Sequence, residues 1–336
     1  MPRRIRLSPS SDLSSFKELR KRYDSIREPK TICMLKIQDV LLSSVRTYLR
    51  RRGFAEILPP IIGPVTDPGI RGAKQASINY YGSRFKVMSS MILYKQMAIQ
   101  SLAKVFAVSP NIRLEPTASR RTGRHLAEFR QVDIEASGWR YTDAMELAEG
   151  LIGYVCQDVH EKCAAQLSHL KRNLKMPRKP FKRLRYPDVV EYLRERDLEV
   201  PDGEEIPWSL EEYLSAQFSE PFFITDYPIT ARGFYDREDP NRPGTLLDFD
   251  LYYPEGYGEA ASGAEREHTY RRVLDRMKRN GENAGRYRWY LRMLRRGVPL
   301  SAGFGIGVER LTRWVCGLGA IWEAVPFPKV PGVESP

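Results

Sequence analysis

The sequence has no long hydrophobic run and few cysteines, and each shortage excludes a class of protein. No stretch of about 18 apolar residues occurs, so we predict no membrane-spanning helix. The basic N-terminus, MPRRIRLSPSSD, lacks an apolar core and does not resemble a signal peptide. The four cysteines, Cys33, Cys156, Cys163 and Cys316, form no CxxC pair, which argues against a zinc site and a secreted disulfide framework. A reducing, cytoplasmic location fits this pattern best.

Internal repeats and low-complexity tracts are also missing, although the 336 residues are enough to bury a full core. Apolar residues recur at three- and four-residue spacing between Met34 and Tyr48, which predicts a long amphipathic helix. Helical and strand-like segments are mixed along the chain, which favours an α+β fold. We expect a disordered basic N-terminus over residues 1–15 and one domain over residues 16–336, with 171–220 as a variable, insertion-like segment.

Positive charge is in excess, with a formal net charge of +12. A solvated, arginine-rich surface with ion-pair networks is the more common cause, and a nucleic-acid surface is the alternative. The densest basic run, Lys171–Arg185, contains Pro177 and Pro180 and is typical of a surface linker that could also contact phosphates. Charge alone leaves both explanations open.

A polar hairpin is predicted between Arg113 and Glu135. Strand-like runs lie on both sides of the turn-like segment 116–123. Because side chains alternate faces along a strand, Arg113 and Glu115 share one face, and Asp133 and Glu135 share another. Considered alone, Arg113 and Glu115 could form an ordinary surface ion pair. Together with the other charges they predict a platform for a nucleotide triphosphate.

Three segments, in order, resemble the signature motifs of class II aminoacyl-tRNA synthetases of the aspartyl, asparaginyl and lysyl subgroup. The first is the helix and strand that end at Pro60, and the second is the hairpin from Arg113 to Glu135. The third is the glycine-rich sequence GFGIGVERL at 303–311. The resemblance extends from about Tyr23 to Gly332. It implies an antiparallel sheet flanked by helices and an ATP-dependent, adenylate-forming activity.

The resemblance also assigns the ATP contacts. Arg113 is expected at the α-phosphate, where a guanidinium neutralises the charge that develops in the transition state. Glu115 is expected near the adenine edge, and Arg124 and His125 near the γ-phosphate. Arg113 and Arg310 are the expected catalytic residues.

Adenine stacking and metal binding complete this implied site. Phe129 and Arg310 are expected to cover the two faces of adenine. Asp250 and Glu259 match the carboxylates that hold Mg²⁺ against the phosphates, and Mg²⁺ needs only a few such ligands. Glu309 is expected to support them. The plain alternative for Asp250 is that it caps a turn.

Two cations predict an acidic substrate, L-aspartate. Lys95 matches the lysine with which aspartyl enzymes bind aspartate, and Arg266 matches an arginine that grips a carboxylate bidentately. Asp133 is also typical of aspartyl enzymes. The alternative for Lys95 is a solvated lysine on a helix.

The loop after the first motif departs from the family. Aspartyl enzymes carry a glutamate there that binds the substrate amino group, whereas this loop has Gln75 and Ser77 but no carboxylate after Asp67. Ile92 also replaces a family glutamine. Both changes lie where the amino acid would be recognised, so Gln75 and Ser77 are candidate aspartate contacts.

The acceptor is predicted from the length before the first motif. The family carries an anticodon-binding OB-fold of about 100 residues there, and only about 30 residues precede the helix here. The chain then most resembles archaeal asparagine synthetases related to asparaginyl-tRNA synthetase, without that domain. No N-terminal cysteine nucleophile or Cys–His signature of a glutaminase is present, so free ammonia is the expected nitrogen donor.

The main hypothesis is therefore an ammonia-dependent, AMP-forming asparagine synthetase that makes L-asparagine through β-aspartyl-adenylate. The alternative is a synthetase-like ligase that activates the α-carboxylate for a tRNA or protein acceptor. A third is an inactive paralogue that binds nucleotides or tRNA as a regulator. The family resemblance implies a homodimer through residues 32–60. Binding of tRNA is not expected, although the basic surface leaves it open.

Overall fold

The computed structural model describes residues 13–69 and 72–336. Within these ranges the longer helices lie outside the sheets and the strands form two sheets. The α-helices are α1 (Leu13–Arg20), α2 (Arg22–Ser25), α3 (Pro29–Arg51), α4 (Ile92–Ala98), α5 (Tyr141–Lys162), α6 (Ala164–His169), α7 (Tyr186–Arg194), α8 (Trp208–Ser215), α9 (Tyr270–Arg279), α10 (Arg288–Arg295) and α11 (Val308–Cys316). The strands are β1 (Ala55–Glu56), β2 (Ile62–Gly63), β3 (Ser77–Tyr80), β4 (Ser83–Val87), β5 (Lys104–Ile112), β6 (Glu128–Ser137), β7 (Lys182–Arg185), β8 (Phe222–Thr225), β9 (Asp248–Tyr253), β10 (Gly258–Glu265) and β11 (Ser301–Gly307).

The large sheet has the strand order β1-β5-β6-β11-β10-β9-β8-β7. Its inner pairs are antiparallel, and only the outermost pairs, β1 with β5 and β7 with β8, are parallel. The small sheet has the order β2-β4-β3. The predicted α+β fold, an antiparallel-rich sheet flanked by helices, is confirmed.

The first predicted helix is α3, and its apolar stripe is buried from Met34 to Tyr48. Pro29 begins it at a position where the missing N–H costs nothing. Gly53 ends it with a backbone φ of +80°, which an L side chain rarely adopts. The stripe packs with α5 against one face of the large sheet and leaves the other face for a cavity.

Two segments named in the predicted domain layout have regular structure. Residues 13–15 belong to α1, whereas the rest of the N-terminal prediction, residues 1–12, lies outside the described residues. Segment 171–220 is joined to the fold, because β7 pairs with β8 at the edge of the large sheet. The basic run that resembled a linker therefore ends in a strand. No helix in the described residues is long and apolar enough to cross a membrane.

Candidate active site

A cavity of about 660 Å³ opens on the face of the large sheet formed by β6, β10 and β11. It collects most of the predicted site residues, although they come from distant parts of the chain. Those at its wall are Lys95, Arg113, Glu115, Arg124, His125, Phe129, Asp133, Glu259, Arg266, Glu309 and Arg310. Gln75, Ser77 and Asp250 are not among the residues that line it.

Lys95 lies at the floor of the cavity and is only 3% exposed. Its ammonium group donates to Asp133 Oδ1 at 3.3 Å and to the backbone carbonyls of Ile134 and Phe304 at 3.3 and 3.1 Å. A buried cation needs such compensation, because its desolvation is costly. The interpretation of Lys95 as a solvated helix lysine is therefore wrong.

Arg266 is fixed beside Lys95 by two carboxylates. Its Nη1 donates to Asp236 Oδ1 at 2.7 Å, and its Nε donates to Glu135 Oε1 at 3.2 Å. Burial lowers the pKa of Arg266, but Glu135 and Asp236 outweigh it and raise that pKa above its usual value. Nη2 also donates to the carbonyl of Gly303 at 2.9 Å. The guanidinium is held rigidly at the wall and stays charged.

Asp67 supplies a carboxylate that the sequence interpretation missed. It is buried at the cavity wall, where Oδ1 accepts from the Tyr235 hydroxyl at 2.7 Å and from Gly69 N at 2.9 Å. Gln75 lies behind it and donates to the Asp67 carbonyl at 2.9 Å, while Ser77 is exposed on β3. Neither side chain lines the cavity, so the aspartate contacts of Gln75 and Ser77 stay predictions. The sequence could have indicated this residue, because Asp67 is the last carboxylate before the loop.

The other end of the cavity carries the arginines and the aromatic ring predicted for ATP. The Arg113 guanidinium lies 5.2 Å from the centre of the Phe129 ring, within reach of a cation–π contact. Its Nε donates to the Ser89 carbonyl at 3.2 Å. Arg310 Nη1 donates to the Glu259 carbonyl at 3.0 Å and lies 3.3 Å from Glu259 Oε2. Both guanidinium groups therefore line the same end of the cavity.

Arg124 and His125 follow on the loop between β5 and β6. His125 Nδ1 and the Thr122 hydroxyl share a hydrogen bond of 2.7 Å. Arg124 Nη2 donates to Glu211 Oε2 at 2.7 Å, and its Nη1 donates to the carbonyl of Trp208 at 3.1 Å. Segment 171–220 thus reaches the predicted phosphate end of the cavity through α8.

The structure places Asp250 away from the cavity wall. It is 1% exposed, and its Oδ2 accepts from Arg232 Nη2 at 2.7 Å, so Arg232 stands between it and the cavity. The metal contact of Asp250 stays a prediction, because its carboxylate pairs with Arg232 here and does not line the cavity. Glu259 does line the cavity. The described residues hold no group of three histidine, cysteine or acidic side chains suited to a metal. Glu259 together with phosphate oxygens still fits Mg²⁺, which takes few protein ligands.

Glu309 supports this end of the site. Both of its carboxylate oxygens accept from the backbone N–H of Arg130, at 2.9 and 3.0 Å. Burial raises the pKa of Glu309 to about 7, and the Arg130 N–H opposes that rise. The carboxyl group is thus held at the start of α11, one residue before Arg310.

Comparison with known proteins identifies the family. The model of the class II tRNA synthetases (D, K and N) matches residues 15–331. The chain is 34% identical over 313 residues to an asparagine–tRNA ligase of Pyrococcus abyssi, covering 92% of this chain and 71% of that protein. It is 34% identical over 310 residues to an aspartate–tRNA(Asp/Asn) ligase of Methanothermobacter thermautotrophicus, covering 92% of this chain and 69% of that protein.

The fold agrees with that similarity. The structure of asparaginyl-tRNA synthetase from Pyrococcus horikoshii complexed with asparaginyl-adenylate superposes with a TM-score of 0.89 at 34% identity, over 95% of this chain and 73% of that one. The asparaginyl-tRNA synthetase of Entamoeba histolytica gives a TM-score of 0.87 at 27% identity, over 100% of this chain and 76% of that one. The chain therefore belongs to the class II tRNA synthetases of the D, K and N group, a family of ATP-dependent ligases.

Proposed function

We propose that the chain activates L-aspartate with ATP, forming an aspartyl-adenylate and releasing diphosphate. The observation that carries this proposal is the pair of buried cations, Lys95 and Arg266, in the cavity that also holds Arg113 and Arg310. A substrate with two carboxylates can present one to these cations and the other to the phosphorus.

The chemistry follows from where the charges lie. A carboxylate oxygen of aspartate attacks the α-phosphorus, and the bond from that phosphorus to the oxygen of the leaving diphosphate breaks. Arg113 and Arg310 neutralise the negative charge that grows on the phosphate oxygens. The second carboxylate is held by Lys95 or Arg266, which fixes the attacking group in line. Asp67 is suited to the substrate ammonium group, because its carboxylate lies at the same wall.

Glu259 is the residue that would hold Mg²⁺ at the β- and γ-phosphates. When bound, the ion would neutralise charge on the leaving diphosphate. Phe129 offers its ring to one face of adenine, and Arg310 lies across the space from it. Each of these roles is a proposal that rests on the position of the residue at the cavity wall.

Two acceptors compete for the adenylate. The relatives are named tRNA ligases, which favours activation of the α-carboxylate and transfer to a tRNA. Ammonia is the acceptor predicted from the sequence, and in that case the β-carboxylate is activated and ammonia displaces AMP. The support for ammonia is the altered recognition wall, where Ile92 replaces a family glutamine and lies beside the cavity with Asp67. Such changes would suit an aspartate bound in the reverse direction.

One set of assays separates these acceptors. The chain is incubated with aspartate, ATP and Mg²⁺, with ammonium or with tRNA, and free asparagine, aminoacyl-tRNA and AMP are measured. Free asparagine without tRNA supports the ammonia reaction, and charged tRNA supports the ligase. Trapping with hydroxylamine shows whether the β- or the α-hydroxamate forms. The absence of any aspartate-dependent ATP–diphosphate exchange would sink the proposal of aspartate activation.

A homodimer through residues 32–60 remains part of the proposal. Ile32 is 41% exposed and Leu58 is 96% exposed, so this region presents apolar side chains that a second copy would cover. Light scattering on the purified chain tests it. A monomer at micromolar concentration would contradict the dimer without affecting the proposed reaction.

A further inference from the structure

We infer that Glu211, on α8, is a positioning residue that holds Arg124 in place for the triphosphate of ATP. The inference rests on the proposed function, because it assumes that ATP occupies the cavity. It also assigns a role to segment 171–220, whose residues Trp208–Ser215 form α8.

The carboxylate and the guanidinium form a buried pair at the wall of the cavity. Glu211 is 3% exposed and Arg124 is 4% exposed, and Oε2 of the first lies 2.7 Å from Nη2 of the second. The carbonyl of Trp208 accepts from the other terminal nitrogen at 3.1 Å. Both acceptors belong to the first turn of α8, so one element grips the guanidinium from two directions. Such a charge-assisted pair is stronger than a neutral hydrogen bond.

The same helix also holds the strand that carries the proposed magnesium ligand. Glu211 Oε2 lies 3.4 Å from the backbone nitrogen of Glu259, and the Ser215 hydroxyl accepts from Gly258 N at 3.0 Å. Residues 211 and 215 are one helical turn apart and face the same side. Glu211 therefore connects Arg124, expected at the γ-phosphate, with Glu259, expected at the metal.

Gly258 leaves little space for another arrangement. A Cβ atom there would lie 2.4 Å from Arg124 Nη2, and the backbone φ of Gly258 is +73°.

Other cations lie close to Arg124, since burial and the neighbouring Arg124 lower the pKa of Arg313 to about 10. A carboxylate at position 211 offsets this positive charge before ATP binds. A guanidinium has five N–H donors, so Arg124 can keep Glu211 and still contact a phosphate.

The test compares Glu211→Gln with Glu211→Asp and with Glu212→Gln, a change one residue along the same helix. Binding of Mg·ATP is measured directly by calorimetry, and the KM values for ATP and aspartate are taken from ATP–diphosphate exchange. We expect Glu211→Gln to weaken ATP binding about tenfold, which corresponds to the loss of one charge-assisted contact. The KM for aspartate should change less than twofold. Glu211→Asp should restore part of the affinity, and Glu212→Gln should match the wild type.

A double-mutant cycle separates positioning from general stability. In an Arg124→Gln background, Glu211→Gln should add no further loss of ATP affinity, because its target is gone. Melting temperatures show whether either variant is unfolded. If Glu211→Gln is unfolded, Glu211→Asp, which keeps the negative charge, provides the comparison instead. Equal losses for ATP and aspartate, or additive effects in the cycle, would overturn the inference. If the wild type and Glu211→Gln bind ATP equally well, the inference about Glu211 is wrong and the proposed function is unaffected. If the wild type binds no ATP, both the inference and the proposed function are wrong.

Discussion

The ammonium group of Lys95 lies 3.3 Å from a carboxylate oxygen of Asp133, and each side chain is only 3% exposed. A second carboxylate, Glu135, lies 3.7 Å from the same nitrogen. This pairing joins α4 to β6 beneath the cavity, so the residue expected to recognise the substrate also holds the fold together. Stability and substrate recognition should therefore change together when it is altered.

The first prediction concerns this buried pair. Lys95→Met removes the cation and leaves Asp133 charged in a dry site, which should cost about 3–5 kcal/mol of unfolding free energy. Aspartate-dependent AMP formation should be lost as well. Lys278→Met is the matched control, because Lys278 is 70% exposed and lies 3.9 Å from Asp275. A surface pair of that kind is worth about 0–1 kcal/mol. Urea unfolding compares the two variants, and equal costs would contradict the buried pair.

A second prediction distinguishes two aspartates on one face of β9. Burial raises the pKa of Asp248 to about 8, so its carboxyl is mostly protonated at neutral pH. Both aspartates face Arg232, whose Nε lies 3.4 Å from Asp248 Oδ2 and whose Nη2 donates to Asp250 Oδ2 at the shorter distance of 2.7 Å. Asp248→Asn should therefore stay within about 1 kcal/mol of the wild type. Asp250→Asn should cost more, about 1.5–3 kcal/mol, because it removes one charge-assisted contact from Arg232, which Glu205 still pairs with at 2.5 Å.

Thermal and urea unfolding at pH 7 measure both aspartate variants. If Asp248→Asn proved the more damaging, Asp248 would be the ionised partner of Arg232. If folded Asp250→Asn keeps its ATP–diphosphate exchange activity, the result agrees with the position of Asp250 behind the cavity wall. A change in the magnesium dependence of that activity alone would indicate that Asp250 contacts the metal.

Local patterns predicted the parts of the molecule whose partners are close in the sequence. The stripe of α3 and the hairpin of β5 and β6 depend on periodicity and on one turn, and both are confirmed. The position of Asp250 depends on Arg232, which reaches it from an irregular loop, and no periodic pattern predicts that approach. The family motif identified the strand but not which side chain faces the cavity.

Segment 171–220 shows the same limit for nonlocal contacts. The prolines and basic residues of its first part, Lys171–Arg185, suggested a linker, yet β7 pairs in parallel with β8 about 40 residues later in the chain. Parallel pairing needs a long connection, so neighbouring residues carry little signal for it. Glu211 likewise gained a role only when α8 was placed against Arg124.

The third prediction concerns pH. Burial raises the pKa of Glu309 to about 7 in the folded chain, above an unfolded value of about 4.3. Its ionisation therefore opposes folding, and the contribution of Glu309 to stability should fall as pH rises from about 4.5 to about 7 and then level off. The total change, for a pKa difference of about 2.7 units, is at most about 4 kcal/mol.

Glu309→Gln removes this titration and isolates it from other groups. The unfolding free energy of the variant, relative to wild type, should rise between pH 5 and pH 8. Urea unfolding at several pH values measures the difference. A difference that does not change with pH would show that the N–H of Arg130 keeps the carboxylate ionised throughout.

The last prediction uses two glycines of β11 as a matched pair. A Cβ atom at Gly303 would lie 2.1 Å from the Ile134 carbonyl and 2.2 Å from Glu135 Oε2, so backbone and a buried carboxylate would both have to move. At Gly305 the closest atoms are Gln131 Nε2 at 3.2 Å, on a side chain that can shift, and Asp133 Oδ1 at 3.3 Å, so neither approach is shorter than 3 Å. Gly303→Ala should cost more than about 3 kcal/mol by overpacking, while Gly305→Ala should cost about 1 kcal/mol or less.

The same pair separates packing from recognition. Gly303→Ala displaces Glu135 and hence Arg266, so residual folded protein should bind aspartate poorly. Gly305 lines the cavity, so the Gly305→Ala variant should fold but bind aspartate more weakly. Melting temperature and isothermal titration with aspartate provide the two measurements. A Gly303→Ala chain with wild-type stability and aspartate affinity would show that Arg266 does not depend on the close approach of β6 and β11.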